Sequence, residues 1–550
     1  MPQMQIHKLL LDLSSRPDNA QVHNKCLDVL GEIHDSDAAY FSQTRKQIWQ
    51  LLDIVFKHDF VNHQQLEPLA TLQIKLAYGI NEKTLPAAEP DMLGRLGQDR
   101  LFLAVLQKTF NTDECFESFL QKLRAFLLCA HFGKFGWTDQ HARLAMAMAM
   151  ECFNNEYIFE ESENELLRVR ELEHSFQAKS SSGAISVNPA EFAVLAMYRP
   201  LSKLKSAGDI ARQAFEVFDE WAGEAITRMI VEPLEEELLK NEIPTLGPIS
   251  NPVSIQVRGQ YEENPFPRWL NRGPPFPSLQ ARIAAHQPQK TQLLIHQEER
   301  LRILVAGCGT GQQPLGIAGG NPDAEVVAID LSLASLAFAK RMAKRLEVNN
   351  VTFIHGDLSE LSALDQRFHH VECVGVFNCM EDPFAGWRDV ESVLLPGGTM
   401  HIGVYSRLAR LPIEHVRRRI AALGLTPTPS HMKRMRSEIL HDDRYKLIRK
   451  FLIERDFFSF SMFRDFLFHS HEHCFTLAEI KDIICSLGCD FLGFDVGRGL
   501  HRKYKELFPD DPEFSSFENW KSFERHYVGT REMYRVWLQK PEAVQSVPVS

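Results

Sequence analysis

The stretch LVAGCGTGQQ, Leu304 to Gln313, constrains the fold of this chain more than any other. An apolar run from Leu301 to Ala306 ends in a turn with glycine at every second position, Gly307, Gly309 and Gly311. A short apolar run bounded by glycines reads as a buried strand entering a turn. Four more such runs follow, AEVVAIDLS, VTFIHGD, HVECVGVFN and TMHIGVYS, with helical stretches such as LASLAFAKRMAKRLE between them. Strands alternating with helices predict a parallel sheet covered on both faces. Ligands of such a sheet sit beyond the carboxyl ends of the strands, where the strand order reverses, so the glycines fall where a ligand would.

The spacing narrows the ligand. A dinucleotide fingerprint needs its third glycine at the position held by Gln312, and no G-x-x-x-x-G-K-[ST] loop is present to cradle a phosphate. Asp330 ends the second run, where a carboxylate can accept from both hydroxyls of a ribose. Asp357 ends the third, where an acid can accept from an adenine amino group. Gly-x-Gly-x-Gly, Asp330 and Asp357 at successive strand ends describe a cradle for an adenosine without a pyrophosphate. S-adenosylmethionine is the cofactor that fits it.

The rest of the chain is a different material. Residues 1 to about 245 read as helices, since CLDVLGEI, RKQIWQLLDIVF and CFESFLQKLRAFLLCAHF each place apolar residues at i, i+3, i+4 and i+7. Around 243 the texture turns rich in proline and glycine, carries one alternating run from Val253 to Val257, and is not expected to form a long helix. At 550 residues the chain exceeds one ordinary core. A net charge of −11 argues against a wholesale polyanion binder, and Arg417 to Arg419 and MKRMR (432–436) read as solvated helix faces. No nucleic-acid partner is expected. No run of about 18 apolar residues predicts a membrane span. There is no secretory n-region and h-region, and ten cysteines lack a CxxC framework, so the expected location is cytoplasmic.

The segment from 301 to about 407 resembles a class I S-adenosylmethionine-dependent methyltransferase, including the Pro396-Gly-Gly398 turn before the fifth strand. CFNNEYIF (152–159), MYRPL (197–201), QYEENPFPRW (260–269), GVFNCMEDPFAGW (375–387), GVYSRLAR (403–410) and FRDFLFHSHEH (463–473) extend the likeness. They resemble a bacterial group that joins a helical, tetratricopeptide-like N-terminal half to a class I domain, near the rickettsial lysine methyltransferases acting on outer-membrane protein B. Two departures stand out: Val305 where such enzymes usually carry an acid, and Asn378-Cys379 where relatives commonly carry a His pair.

The resemblance implies an α/β Rossmann-like core with a seven-stranded sheet, a large all-α N-terminal region, and a helical insert before the last hairpin. The implied organisation is a helical docking or dimerisation domain over 1–140, a helical middle domain over 141–245 and a connector contributing to the site over 246–300. The S-adenosylmethionine-binding core covers 301–405, the insert that walls the acceptor cavity 406–488, the terminal hairpin 489–540 and a tail 541–550. The implied cofactor contacts are Ala306, Gly307, Cys308, Gly309, Gly311, Gln312, Asp330, Leu331, Asp357, Leu358, Phe377 and Asn378.

Methyl transfer needs an acceptor lone pair aligned behind the methyl group, with water excluded. If the acceptor is an amine, a base must take its proton. Glu381, Asp382, Tyr405 and Glu472 are the candidates by position, with Tyr261, Arg268, Trp269, His469 and His473 as acceptor-binding candidates. The alternating histidines of HSHEH match no common zinc spacing, so no metal is expected. The first functional reading is a methyltransferase acting on a protein or peptide, on a lysine amine, dimeric through its helical region. The alternatives are a small-molecule N- or O-methyltransferase and a scaffold with a vestigial cofactor site.

Overall fold

A computed structural model describes residues 8–9, 12–13, 38–58, 61–81, 90–133, 136–181, 188–218, 220–271, 275–286, 300–495, 498–526 and 533–542. The tail expected from 541 lies, from 543 on, outside these residues, as does 287–299 of the connector. Seven strands form one sheet: β1 (Arg302–Ala306), β2 (Glu325–Asp330), β3 (Val351–His355), β4 (Phe368–Val374), β5 (Leu394–Tyr405), β6 (Asp490–Phe494) and β7 (Met533–Gln539). Their order is β3-β2-β1-β4-β5-β7-β6. The first five are parallel, and β7 inserts antiparallel between β5 and β6. The order reverses between β1 and β4, so their carboxyl ends open on one crevice.

The strands form where the apolar runs predict, and β1, β2 and β4 are buried along nearly their whole length. Helices cover both faces. Leu358, Trp387, Ile480 and Trp520 pack with Val371, Cys373 and Ile402 on one side. Leu279, Ile283, Leu315 and Phe338 pack with Ile303, Val305 and Trp537 on the other. The terminal pair is not a tight hairpin, because helices Arg498–Leu507 and Phe517–His526 lie between β6 and β7.

The alternating run in the connector is a helix, Pro252–Glu263. Asn251 caps it, its side chain accepting from Val253 N and Ser254 N at 2.9 and 3.1 Å, and Pro252 takes the first helical position. Proline and an asparagine cap are a helix-start signal that outweighs five alternating residues. Upstream, residues 244–246 pair with the outer edge of β3, Leu246 N donating to the His355 carbonyl at 2.9 Å.

The N-terminal region is helical, from Ala38–Val55 to Glu232–Leu239, among them Glu114–Phe132 and the pair Asp139–Asn154 and Glu163–Ser181. Its apolar core does not stop at residue 245. Val416, Met435, Leu452, Phe457 and Phe463 of the insert join Phe116, Leu123 and Leu144 in one continuous cluster. The insert therefore packs on the helical region, and only its last helix, Leu477–Leu487, packs on the sheet. A buried ion pair fastens the two: Arg436 donates to both oxygens of Glu117, at 2.7 and 2.5 Å. Among the described residues no helix is long and apolar enough to cross a membrane.

Because both members of that pair are at most 5% exposed, Glu117→Ala leaves an uncompensated guanidinium in the core. The expected loss is about 3–5 kcal/mol, read as a lower midpoint of chemical unfolding, with Glu117→Gln losing less.

Candidate functional site

After β1 the chain turns through Gly307, Gly309 and Gly311 at φ of +68°, +51° and +86°. Only glycine adopts such values without strain. Each also meets atoms of the chain itself. A Cβ would lie 2.2 Å from Val376 Cγ2 at Gly307, 2.5 Å from the Phe266 carbonyl oxygen at Gly309, and 2.5 Å from Ala339 Cβ at Gly311. The missing side chains thus make room first for the protein's own packing. Gly311 caps helix Gln312–Gly320 and faces helix Leu333–Arg345.

The connector presses on this turn from above. Thr310 N donates to the Phe266 carbonyl at 3.1 Å and its hydroxyl to the Pro267 carbonyl at 2.6 Å. The Trp269 indole donates to Thr310 Oγ1 at 3.0 Å. Trp269 is therefore a core clamp, 2% exposed, and not a cavity wall. Arg268 also turns away, its guanidinium 5.0 Å from the Phe153 ring centroid.

Between the connector, the carboxyl ends of the strands and the insert lies a cavity of about 1110 Å³. Gly307, Cys308, Gly309, Gln312, Asp330, Leu331, Asp357 and Leu358 line it together, as the motif spacing predicts. Ala306, Gly311, Phe377 and Asn378 do not. Ala306 is buried at the end of β1, Phe377 stacks on Trp387 with centroids 5.3 Å apart, and Asn378 is tied to the His473 carbonyl at 2.7 Å. Val374 at the end of β4, with Gly375, Val376, Cys379 and Met380 after it, forms that wall instead.

The two acids differ in their state. Asp330 accepts from Gly309 N at 2.7 Å and from Ser332 N at 2.9 Å, one bond to each oxygen. Burial nevertheless pushes its carboxyl up to about 6. Asp357 accepts from Ser359 N at 3.0 Å through one oxygen only. Its second oxygen is buried without a hydrogen-bond partner among the described residues. A buried carboxylate oxygen left unbonded is costly, and this one belongs to a cavity wall, so it is placed to accept from a ligand donor such as an amino group. Asp330 keeps acceptor capacity for hydroxyls. The residues present fit S-adenosylmethionine.

On the far side Tyr261 and Tyr405 line the cavity. Tyr261 donates to Asp465 Oδ1 at 2.7 Å and lies 3.0 Å from His469 Nε2, which in turn is 3.3 Å from Cys379 Sγ. Burial pushes both phenols and the Cys379 thiol up and the His469 imidazole down. Three base candidates fall elsewhere. Glu381 is exposed and accepts from Asn251 at 2.6 Å, and Asp382 caps helix Pro383–Ser392 through Ala385 N at 2.9 Å. Glu472 is held by Arg410 at 2.5 Å and Arg417 at 2.8 Å. Burial alone would raise its carboxyl, but the two guanidiniums hold it below the usual range. His473 packs against Phe475, ring centroids 4.6 Å apart, outside the cavity. Asp456 and Asp465 of the insert line it.

A polar cluster under β4 was not anticipated. Val305 pairs in register with Glu372, so the two side chains share one face of the sheet. Glu372 is fully buried and accepts from Gln313 Nε2 at 2.9 Å, His401 Nδ1 at 2.8 Å and Arg282 Nη1 at 2.5 Å. Burial alone would raise this carboxyl, yet His401 and Arg282 hold it well below the usual range. The acid absent at Val305 has a counterpart one strand over. Two polar residues at alternate positions of an apolar strand, His370 and Glu372, were the available signal. Among the described residues no group of His, Cys, Asp and Glu could hold a metal ion.

Residues 297–449 match the family model of a methyltransferase domain. The chain is 35% identical over 181 residues to an uncharacterized protein of Synechococcus sp., covering 31% of this chain and 42% of that one. It is 35% identical over 114 residues to the release factor glutamine methyltransferase of Xylella fastidiosa, covering 20% and 41%. Both matches take in under half of the relative's length. A solved structure of PKMT2 from Rickettsia typhi in complex with AdoHcy aligns at 14% identity and a TM-score of 0.37, covering 48% of this chain and 53% of that one.

The packing around the turn makes a test. Gly307→Ala is expected to cost roughly 2–4 kcal/mol from positive φ and overpacking together, seen as a lower melting temperature. Adding Val376→Ala is expected to return only the overpacking part.

Proposed function

We propose that this chain, whose residues 297–449 are a methyltransferase domain, transfers the methyl group of S-adenosylmethionine to a protein or peptide, with a lysine amine as the acceptor. The observation that carries the cofactor reading is the buried, unpartnered oxygen of Asp357, in the same cavity as Asp330 and the glycine turn. In this reading Asp357 takes the adenine amino group and Asp330 the ribose hydroxyls. Glu372 fixes Gln313 at the first turn of its helix, the place the missing acid at Val305 leaves open. The cofactor supplies an electrophilic methyl group; the chain's part is to bind, orient and exclude water.

The size of the helical region supports a protein acceptor, since its core runs through the insert up to the cavity wall at Asp456 and Asp465. A small-molecule acceptor is the second reading, favoured by a cavity walled by the connector, the insert and the side chains Asn62 and Gln65 of the helical region. Incubating the chain with tritium-methyl cofactor and cell extract separates them. Label in acid-precipitable protein is the expected result, and label confined to solvent-extractable material would favour the second reading.

The state of Asp330 gives a pH dependence. Its folded value, about 6, lies above the ordinary aspartate value of 3.8. The folded chain therefore binds the extra proton between these values, and ionising Asp330 costs the ligand-free chain stability as pH rises through that window. Hydroxyl donors favour the ionised form. Affinity for S-adenosylhomocysteine is thus expected to fall as pH drops below about 6, approaching tenfold per unit, and Asp330→Asn is expected to flatten that slope. Titration calorimetry across the range reads both.

A further inference from the structure

Asp465 is a buried acid of the cavity wall with no role assigned above. It sits on helix Phe460–Phe468, is 6% exposed, and lines the cavity. A carboxylate so placed is costly unless a cation faces it. The titratable side chain that faces it is His469. The cations around it are committed elsewhere: Arg464 to Glu263 at 2.6 Å, and Arg410 and Arg417 to Glu472. Arg417 reaches only the backbone carbonyl of Asp465, at 3.3 Å. His469 stands 3.8 Å from Asp465 Oδ1, and burial disfavours its charged form. What remains is the hydrogen bond from the Tyr261 hydroxyl to Oδ1, at 2.7 Å.

The surroundings suit a cation from outside. Tyr261, which bonds Asp465, and Phe266 both line the cavity, with ring centroids 6.3 Å apart and tilted by 34°. Aromatic faces attract an ammonium, more strongly when it is desolvated. Tyr405 already carries Arg410 on its ring, 4.0 Å from the centroid, so it is a wall here rather than a second seat. The basic side chains that line the cavity, Arg282, His401 and Arg535, come from the sheet and its cover helix, whereas Asp465 and Asp456 come from the insert.

We propose that Asp465, oriented by the Tyr261 hydroxyl and flanked by the Tyr261 and Phe266 rings, is the binding site for the ammonium group of the acceptor. This rests on the cofactor reading above and names the acceptor class for that same site, a primary alkylammonium. The bound ammonium passes one proton to the Asp465 carboxylate, which becomes a carboxylic acid. The freed nitrogen pair forms the bond to the methyl carbon as the carbon–sulfur bond breaks, its pair remaining on sulfur. The products are a positively charged methylammonium and a neutral thioether, and the proton on Asp465 leaves to solvent.

The test uses the full chain and needs no turnover. S-adenosylhomocysteine is titrated first, and n-butylammonium and its neutral isostere n-butanol are then titrated into the loaded protein. Butylammonium is expected to bind at least tenfold more tightly than butanol, in the parent chain and in Asp482→Asn, an exposed charge-matched control. In Asp465→Asn the preference is expected to shrink to within about twofold. If that variant fails to fold, Asp465→Glu is expected to retain a preference, and the parent chain alone still decides. Equal binding of the two probes with S-adenosylhomocysteine bound would overturn the ammonium site. Asp465→Asn losing discrimination between S-adenosylmethionine and S-adenosylhomocysteine, with butylammonium binding unchanged, would assign Asp465 to the sulfonium and overturn it too. Failure of S-adenosylhomocysteine to bind the parent chain would instead remove the cofactor reading, and the proposal with it.

Discussion

The hydrogen bond from Thr310 N to the Phe266 carbonyl ties the glycine turn to the connector, and the arrangement of the cavity depends on it. Three glycines in left-handed conformations leave a turn with little intrinsic preference for one shape. The connector supplies the missing definition through Phe266, Pro267 and Trp269, all bonded to Thr310. The same connector binds the next turn, Ser332 donating to the Tyr261 carbonyl at 3.0 Å and Leu333 N to Glu262 at 2.5 Å. One segment thus spans the ends of β1 and β2 and carries Tyr261 to the opposite side of the cavity. Nucleotide cradle and acceptor wall are fixed by a single piece of backbone.

A second constraint runs beneath the site. Charge in a sheet core is tolerated only when paired, and Glu372 is paired with its strand neighbour His370 and, from other elements, with Gln313, His401 and Arg282. Those partners come from the helix after β1, from β5 and from the helix that covers the sheet. The cluster therefore holds the floor of the cavity to three separate elements. Through the register of β1 and β4 it brings a carboxylate beside Val305.

Much of this was legible in the sequence. The apolar runs locate five parallel strands, and the glycine spacing with Asp330 and Asp357 identifies residues that line one cavity. These are local signals, set by period and by the ends of strands. The rest depends on tertiary neighbours. Trp269 and Arg268 read as exposed recognition groups but are drawn inward by Thr310 and Phe153. Glu472 reads as a base but two arginines from the preceding segment claim it. Asp465 was passed over because FRDFLF looks like an ordinary amphipathic helix, and nothing in its periodicity says that the charged residue points to a cavity. The insert's attachment to the helical region, through Arg436 and Glu117, spans 319 residues and no local pattern encodes it.

The most direct test of the account is calorimetric titration of the full chain with S-adenosylmethionine and, separately, with NADH, repeated on Asp357→Ala. Binding of the first, none of the second, and at least a tenfold loss of affinity in the variant, about 1.4 kcal/mol, are expected. Binding of NADH, or S-adenosylmethionine affinity unchanged in Asp357→Ala, would contradict it.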